Sequence, residues 1–120
     1  MTKEFNNLEE IQKYYDKKTN TYVFKEDDKY IDLVIFNFDL EINSNINACN
    51  IIALDINAFN IIAHDINAYN ISAININACN ITYYAVCYAY HNIRCQSIKG
   101  RRENHKHFVL DGVLDVEEEI

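Results

Sequence analysis

Proline and tryptophan are absent from this 120-residue sequence, and glycine occurs only at Gly100 and Gly112. So little glycine excludes a Gly-rich phosphate loop, and no nucleophile elbow or paired-carboxylate motif is present either. Long apolar runs are also missing: no stretch approaches the ~18 residues that a bilayer-spanning helix needs. The opening MTKEFNNLEEIQKYY alternates charged and apolar residues rather than setting a basic end before an apolar run. It does not read as a signal peptide, and the expected location is the cytoplasm, away from membranes. The four cysteines, Cys49, Cys79, Cys87 and Cys95, match neither a zinc spacing nor a redox pair. They fit a reducing compartment and read as small buried or edge hydrophobes.

Asparagine and isoleucine are in excess, at 17 and 18 residues. That bias signals a repeat rather than an ordinary globular enzyme. Cut in fives from Asn45, the chain reads NINAC, NIIAL, DINAF, NIIAH, DINAY, NISAI, NINAC, NITYY. Each regular unit sets Ile and, two residues later, Ala, as in Ile46/Ala48, Ile61/Ala63 and Ile76/Ala78. In an extended strand these positions share a face, so both point inward. A helix would rotate the apolar position by about 140° at every unit and smear it around the cylinder. The remaining residues, a free position followed by Asn or Asp, are expected to turn corners, helped by the tolerance of Asn and Asp for left-handed φ. A superposed period of ten, with Asn47, Asn57, Asn67 and Asn77 alternating with Ile52, Ile62, Ser72 and Thr82, predicts a four-sided coil of 20 residues. In that coil Asn47 stacks on Asn67 and Leu54 on Ile74, and stacked Asn side chains hydrogen-bond along the axis.

This pattern resembles the pentapeptide-repeat proteins, whose unit is written A(N/D)LXX. Ala53, Asp55 and Ile56 supply the residue types, although here the small residue follows the large one. The resemblance implies a right-handed quadrilateral parallel β-helix. It also implies, for some members, acidic mimicry of DNA directed at a topoisomerase. Such mimicry needs rows of carboxylates, whereas here only Asp55 and Asp65 are charged within the repeat.

The expected architecture is a single all-β domain, with an N-terminal cap over 1–42, the solenoid over 43–100, and a C-terminal hairpin and acidic tail over 101–120. Residues 4–17 predict an amphipathic helix through Phe5, Leu8, Ile11 and Tyr15. Tyr22–Phe24 predicts a short strand, EDDK a turn, and FNFDLEI a half-buried strand with Phe36, Phe38, Leu40 and Ile42 on one side. After Tyr84 the units NIRCQ and SIKGR return two residues out of phase, with Cys95 and Gly100 in the small position. Asp111-Gly112 between FVL and VLDV predicts a β-hairpin cap.

Formal charge is −7. Both ends are acidic, and the segment IRCQSIKGRRENHKH is basic, with Arg94, Lys99, Arg101, Arg102 and Lys106. Asp115, Glu117, Glu118 and Glu119 follow within reach and are expected to neutralise it. His105-x-His107, with Glu103 or Asp111 nearby, reads as surface histidines, and His64 as an exposed corner residue. No catalytic residue, cofactor or metal is assigned. The candidate binding residues are the apolar corners Leu54, Phe59, Tyr69 and Ile74, with Ile52 and Ile62 facing outward, and the cations Arg94, Lys99, Arg101 and Arg102. The favoured reading is a non-enzymatic module that binds another protein, with a homodimer as one form of partner. A concrete version is a small acidic phage-type inhibitor, anti-CRISPR or anti-restriction, acting on a host nuclease or DNA-processing enzyme. Nucleic-acid binding through residues 94–106 stays open as the second reading.

Overall fold

The computed structural model describes residues 1–117; Glu118, Glu119 and Ile120, and with them part of the expected neutralising tail, lie outside the described residues. The chain is an all-β parallel solenoid of about five turns. Its inward residues are the expected ones. Ile46, Ile51, Ile56, Ile61, Ile66, Ile71 and Ile76 expose at most 1% of their surface, and the Ala two residues after each is buried as well. No helix among the described residues is long and apolar enough to cross a membrane.

The turn has three sides, not four. Strand β8 (Asn45–Asn47) pairs in parallel with β11 (Asn60–Ile62), which pairs with residues 75–77 of β12 (Asp65–Asn77). Strand β9 (Asn50–Ala53) likewise pairs with residues 65–67, and β10 (Asp55–Asn57) with residues 70–72. Equivalent residues lie 15 apart, as in the contacts Asn60–Asn45 and Asn75–Asn60. We name the sides by their first regular strand: face A for β8, face B for β9 and face C for β10. Leu54 therefore stacks under Tyr69 and Phe59 under Ile74, with backbone bonds Tyr69 N to Leu54 O of 2.8 Å and Ile74 N to Phe59 O of 2.6 Å. The ten-residue alternation misled because it sits on outward, hydrated side chains, where Ile62 over Asn47 costs little. Inward and corner positions repeat every five residues and fit 15 as well as 20.

Hydrogen-bonded amide rows do run along the axis, but from the first residue of each unit. Asn60 Nδ2 donates to Asn45 Oδ1 (2.9 Å), Asn75 Nδ2 to Asn60 Oδ1 (2.8 Å), Asn70 Nδ2 to Asp55 Oδ1 (2.9 Å) and Asn80 Nδ2 to Asp65 Oδ1 (2.9 Å). Every amide donates toward the preceding turn. An Asp can receive from above but has nothing to donate below, and the buried Asn50 Oδ1 beneath Asp65 is accordingly left without a partner. Left-handed φ is not what Asn and Asp supply in the repeat. Positive φ in non-glycine residues occurs only at Asn20, Asp27 and Asp28 among the described residues. The last two form the expected EDDK turn between β4 (Lys25–Glu26) and β5 (Lys29–Tyr30).

The predicted helix is shorter than expected. Residues Thr2–Phe5 form strand β1, which pairs in parallel with β6 (Leu33–Phe36), and only Leu8–Tyr14 is helical, as a 3-10 helix. At three residues per turn Leu8, Ile11 and Tyr14 fall on one side, where Ile11 and Tyr14 are buried and Leu8, at the first position, stays exposed; Tyr15 lies off that side and faces solvent. Asn7 caps it by accepting from Glu10 N at 3.2 Å, and Glu10 Oε1 accepts from Asn6 N at 2.7 Å. Strand β3 (Thr21–Val23) lies on face A beside β8, as the short strand expected at Tyr22. The FNFDLEI segment keeps its inward side, with Phe36, Leu40 and Ile42 buried, but bends after Phe36 into a corner before β7 (Leu40–Glu41).

The out-of-phase units sit where their pattern requires. In β13 (Asn80–Cys95), Asn92, Ile93 and Arg94 lie over Asn75, Ile76 and Asn77, and Cys95 takes the small inward place. One extra residue enters opposite each of two corners, between Ala68 and Asn70 and between Ala73 and Asn75. The C-terminal hairpin is not formed. Strands β15 (Lys106–Val109) and β16 (Val113–Val116) each pair in parallel with β13, on faces C and A, so Asp111-Gly112 turns a corner of the last coil. The free edge of β13 offers both strands a ready template. Gly112 is needed because a Cβ there would overlap the His91 carbonyl oxygen.

Candidate protein-binding face

The four apolar corner candidates occupy two different edges of the triangular section. Leu54 and Tyr69 stand on the edge between faces B and C, and Phe59 and Ile74 on the edge between faces C and A. Both edges border face C. Tyr84 continues the first column, its ring 5.6 Å from that of Tyr69, and the Arg101 guanidinium lies 5.7 Å from the Tyr69 ring and 5.8 Å from the Tyr84 ring. Tyr90 and His91 sit opposite Ile74 in the second column. Between the columns, face C presents Asn57, Ser72, Tyr88 and Phe108 in successive turns. Tyr88 and Phe108 pack at 4.9 Å.

The outcome is a groove. Asn57 and Ser72 are short and form the floor. Phe59, Ile74 and Tyr90 line a hollow on one side of that floor, and Asp55, Asn70 and Phe108 line a second on the other, with Tyr88 shared by both. Tyr69 is 50% exposed, Tyr84 43% and Tyr90 42%, so the aromatic surface is available to a partner. Sequence reasoning found four of these residues but not Tyr84, Tyr88, Tyr90 or Phe108. A signal was present: in ITYYAVCYA the inward residues Ile81, Tyr83, Ala85, Cys87 and Ala89 alternate with outward ones, which puts Tyr84 and Tyr88 outside. Ile52 and Ile62 face outward on faces B and A.

The cations are not gathered on one face. Arg94 points out of face A, where its Nε is 3.8 Å from Asp115 Oδ2. Lys99 points out of face B above Thr82, Arg101 and Arg102 stand at the corner that follows, and Lys106 is on face C. From Arg94 in β13 to Lys106 in β15 they circle the C-terminal end instead of forming a stripe along one side.

The histidines face separate partners, and the cysteines are free thiols. His105 Nδ1–H donates to the Arg102 carbonyl at 2.6 Å, while His107 Nδ1 meets the Tyr83 hydroxyl at 2.7 Å, so the pair is turned to different partners. Burial, with His105 close by, pushes the His107 pKa down. Burial pushes the Tyr83 hydroxyl up to about 12, Cys87 up to about 12 and Cys95 up to about 11, so these groups stay protonated at neutral pH. Tyr83 occupies a position that Ala holds in earlier turns. His64 is exposed on the third edge, between Cys49 and Cys79, with Nδ1 3.3 Å from Asp65 Oδ1. Among the described residues no three His, Cys, Asp or Glu side chains are grouped to hold a metal. In comparisons with protein families, curated proteins and solved structures, the chain matches no family model, no curated protein and no solved structure.

Proposed function

We propose that this chain is a non-enzymatic protein-binding module whose working surface is the groove of face C with its two aromatic edges. The observation that carries this reading is the concentration of Tyr69, Tyr84, Tyr88, Tyr90, Phe59 and Phe108, with Arg101 stacked among them, around one polar-floored groove. Tyrosine and arginine dominate binding hot spots because they bury large areas at low entropy cost and keep a polar handle. A rigid solenoid adds preorganisation, so little ordering cost is left for the binding step.

The acidic net charge of −7 favours a partner with a basic surface, which keeps a phage-type inhibitor of a nucleic-acid enzyme as the concrete form we favour. The five-residue unit retains its resemblance to pentapeptide repeats. Topoisomerase-directed DNA mimicry is a weaker form of the reading, because the corner rows are mostly amides and Asp55 and Asp65 each receive a hydrogen bond from the turn above. Direct nucleic-acid binding is weaker too, since phosphate recognition calls for cations along one face or groove.

The test is Phe59→Lys combined with Tyr69→Lys. Both side chains are outward, so circular dichroism and the melting temperature should stay near wild type while capture of the protein partner from the producing cells is lost. A folded double variant that captures the same partner at wild-type yield would refute the assignment. Steeply salt-dependent retention on heparin by the wild type would favour the nucleic-acid reading instead.

A further inference from the structure

Among the described residues the last turn of the solenoid is left uncovered. Strands β14 (Ser97–Gly100), β15 and β16 hydrogen-bond to β13 on one side, and among the described residues no strand pairs with their other side. Inward Leu114 is 37% exposed, whereas Ile93 directly beneath it is 0% exposed. Edges of this kind present unpaired N–H and C=O groups and recruit other strands unless something covers them.

We propose that two copies of this chain join end to end through these edges, about a two-fold axis that passes through face C. Such an axis reverses strand direction, so each edge strand meets its counterpart antiparallel and closes a finite, isologous dimer. Three placements of the axis are available, one through each face, and the charges choose among them. An axis through face A sets Asp115 against the partner's Asp115. One through face B sets Lys99 against the partner's Lys99. Only the axis through face C sets β14 against the partner's β16, with Lys99 opposite the partner's Asp115 at both symmetry-related places. Lys99 and Asp115 both lie on the outward side of their strands, so the match respects the pleat. On face C itself β15 meets its own copy and can place Lys106 over the partner's Phe108, a contact already made within one chain at 5.2 Å. The two shorter dimensions of the molecule are 28 and 27 Å, which limits the end to a few hundred Å² per copy, below the ~800 Å² of a standard interface. The dimer is therefore weak and concentration-dependent.

Sedimentation velocity on the full chain, from low micromolar to near millimolar concentration, tests this inference. The wild type is expected to pass from a 14.1 kDa monomer to a dimer and no further. Lys99→Asp should weaken the dimer by roughly tenfold or more, as should Asp115→Lys, and the two together should restore it, since opposite charges directly across a strand pair attract and like charges repel. Arg94 lies beside Asp115 in the same chain, so the rescue by Lys99→Asp is the decisive comparison. Should Lys99→Asp fail to fold, Lys99→Gln takes its place with a smaller loss expected. A monomer at every concentration, an open-ended oligomer, or a dimer indifferent to both charge reversals would overturn the proposal. A dimer lost instead in the Phe59→Lys, Tyr69→Lys variant would overturn it too, and would place self-association in the face C groove.

Discussion

The two ends of the solenoid are finished in opposite ways. At the N-terminal end Phe5, Tyr14, Phe24 and Phe36 pack ring to ring at 5.3–5.9 Å under the 3-10 helix, with Ile11 and Ile31 fully buried beside them. At the C-terminal end Leu110 and Val113 are more than 60% exposed, and the inward residues of the last turn are only partly covered. A repeat that stacks on itself has no internal reason to stop, so each end must supply one. The plug closes the interior at one pole, whereas among the described residues the interior at the other pole is only partly covered.

The largest expected effect breaks the closed end. Phe24→Ala removes a fully buried ring and should cost about 3–5 kcal/mol in urea melts. Phe108→Ala, at the open end and 36% exposed, should cost about 1–2 kcal/mol. Equal losses at both positions would erase the contrast between the poles.

Between the poles, the narrow interior sets the next effect. Ala63→Leu forces three more carbons into a turn already filled by Ile61, Ile66 and their stacked neighbours, for a loss of about 1–3 kcal/mol. An unchanged melting temperature would mean that Ala63 does not point inward.

The amide rows predict smaller changes of both signs. Asn60→Ala breaks bonds to Asn45 and Asn75 and should cost about 1–2 kcal/mol, whereas Asn47→Ala, outside the rows, should cost almost nothing. Asp65→Asn keeps the acceptor for Asn80 and adds a donor for the orphaned Asn50 Oδ1, so it should stabilise by about 0.5–1.5 kcal/mol. Destabilisation by Asp65→Asn would contradict the direction of donation along the row.

The smallest effect is at the open end and depends on pH. The folded-state pKa of His107 lies below its ordinary value of 6.5, so the unfolded chain binds the proton first as pH falls. Its contribution to stability is complete above pH 6.5 and is lost as pH drops from there through the folded-state pKa. Because the ring is only partly buried, the loss is small. Melting curves between pH 7.5 and 5 should show His107→Gln to be less acid-sensitive than wild type; equal sensitivity would remove His107 from the account.

Much of this was legible in the sequence. The Ile and Ala positions are inward because a two-residue spacing in a strand permits nothing else, and the two-residue slip after Tyr84 is visible in NIRCQ itself. Three sides rather than four were not legible, since the positions that bear energy repeat every five residues. The hairpin expected at Asp111-Gly112 was misread because local turn chemistry does not reveal that β13 offers a free edge. Phe5 reads as helical only until β6 is available for β1 to pair with. The candidate face was half legible: Leu54, Phe59, Tyr69 and Ile74 were identifiable as corners, but their convergence on face C follows only from the 15-residue turn.

The central claim is that one of three chemically different faces meets the partner. A photo-crosslinking residue can be placed at Ser72 on face C, at Asn67 on face B or at Asn77 on face A, all three outward in the same strand. Irradiation in the producing cells should attach one defined protein to the Ser72 variant, with little or no adduct from the other two. Equal labelling from all three positions, or labelling from Asn67 or Asn77 alone, would contradict the assignment of face C as the binding surface.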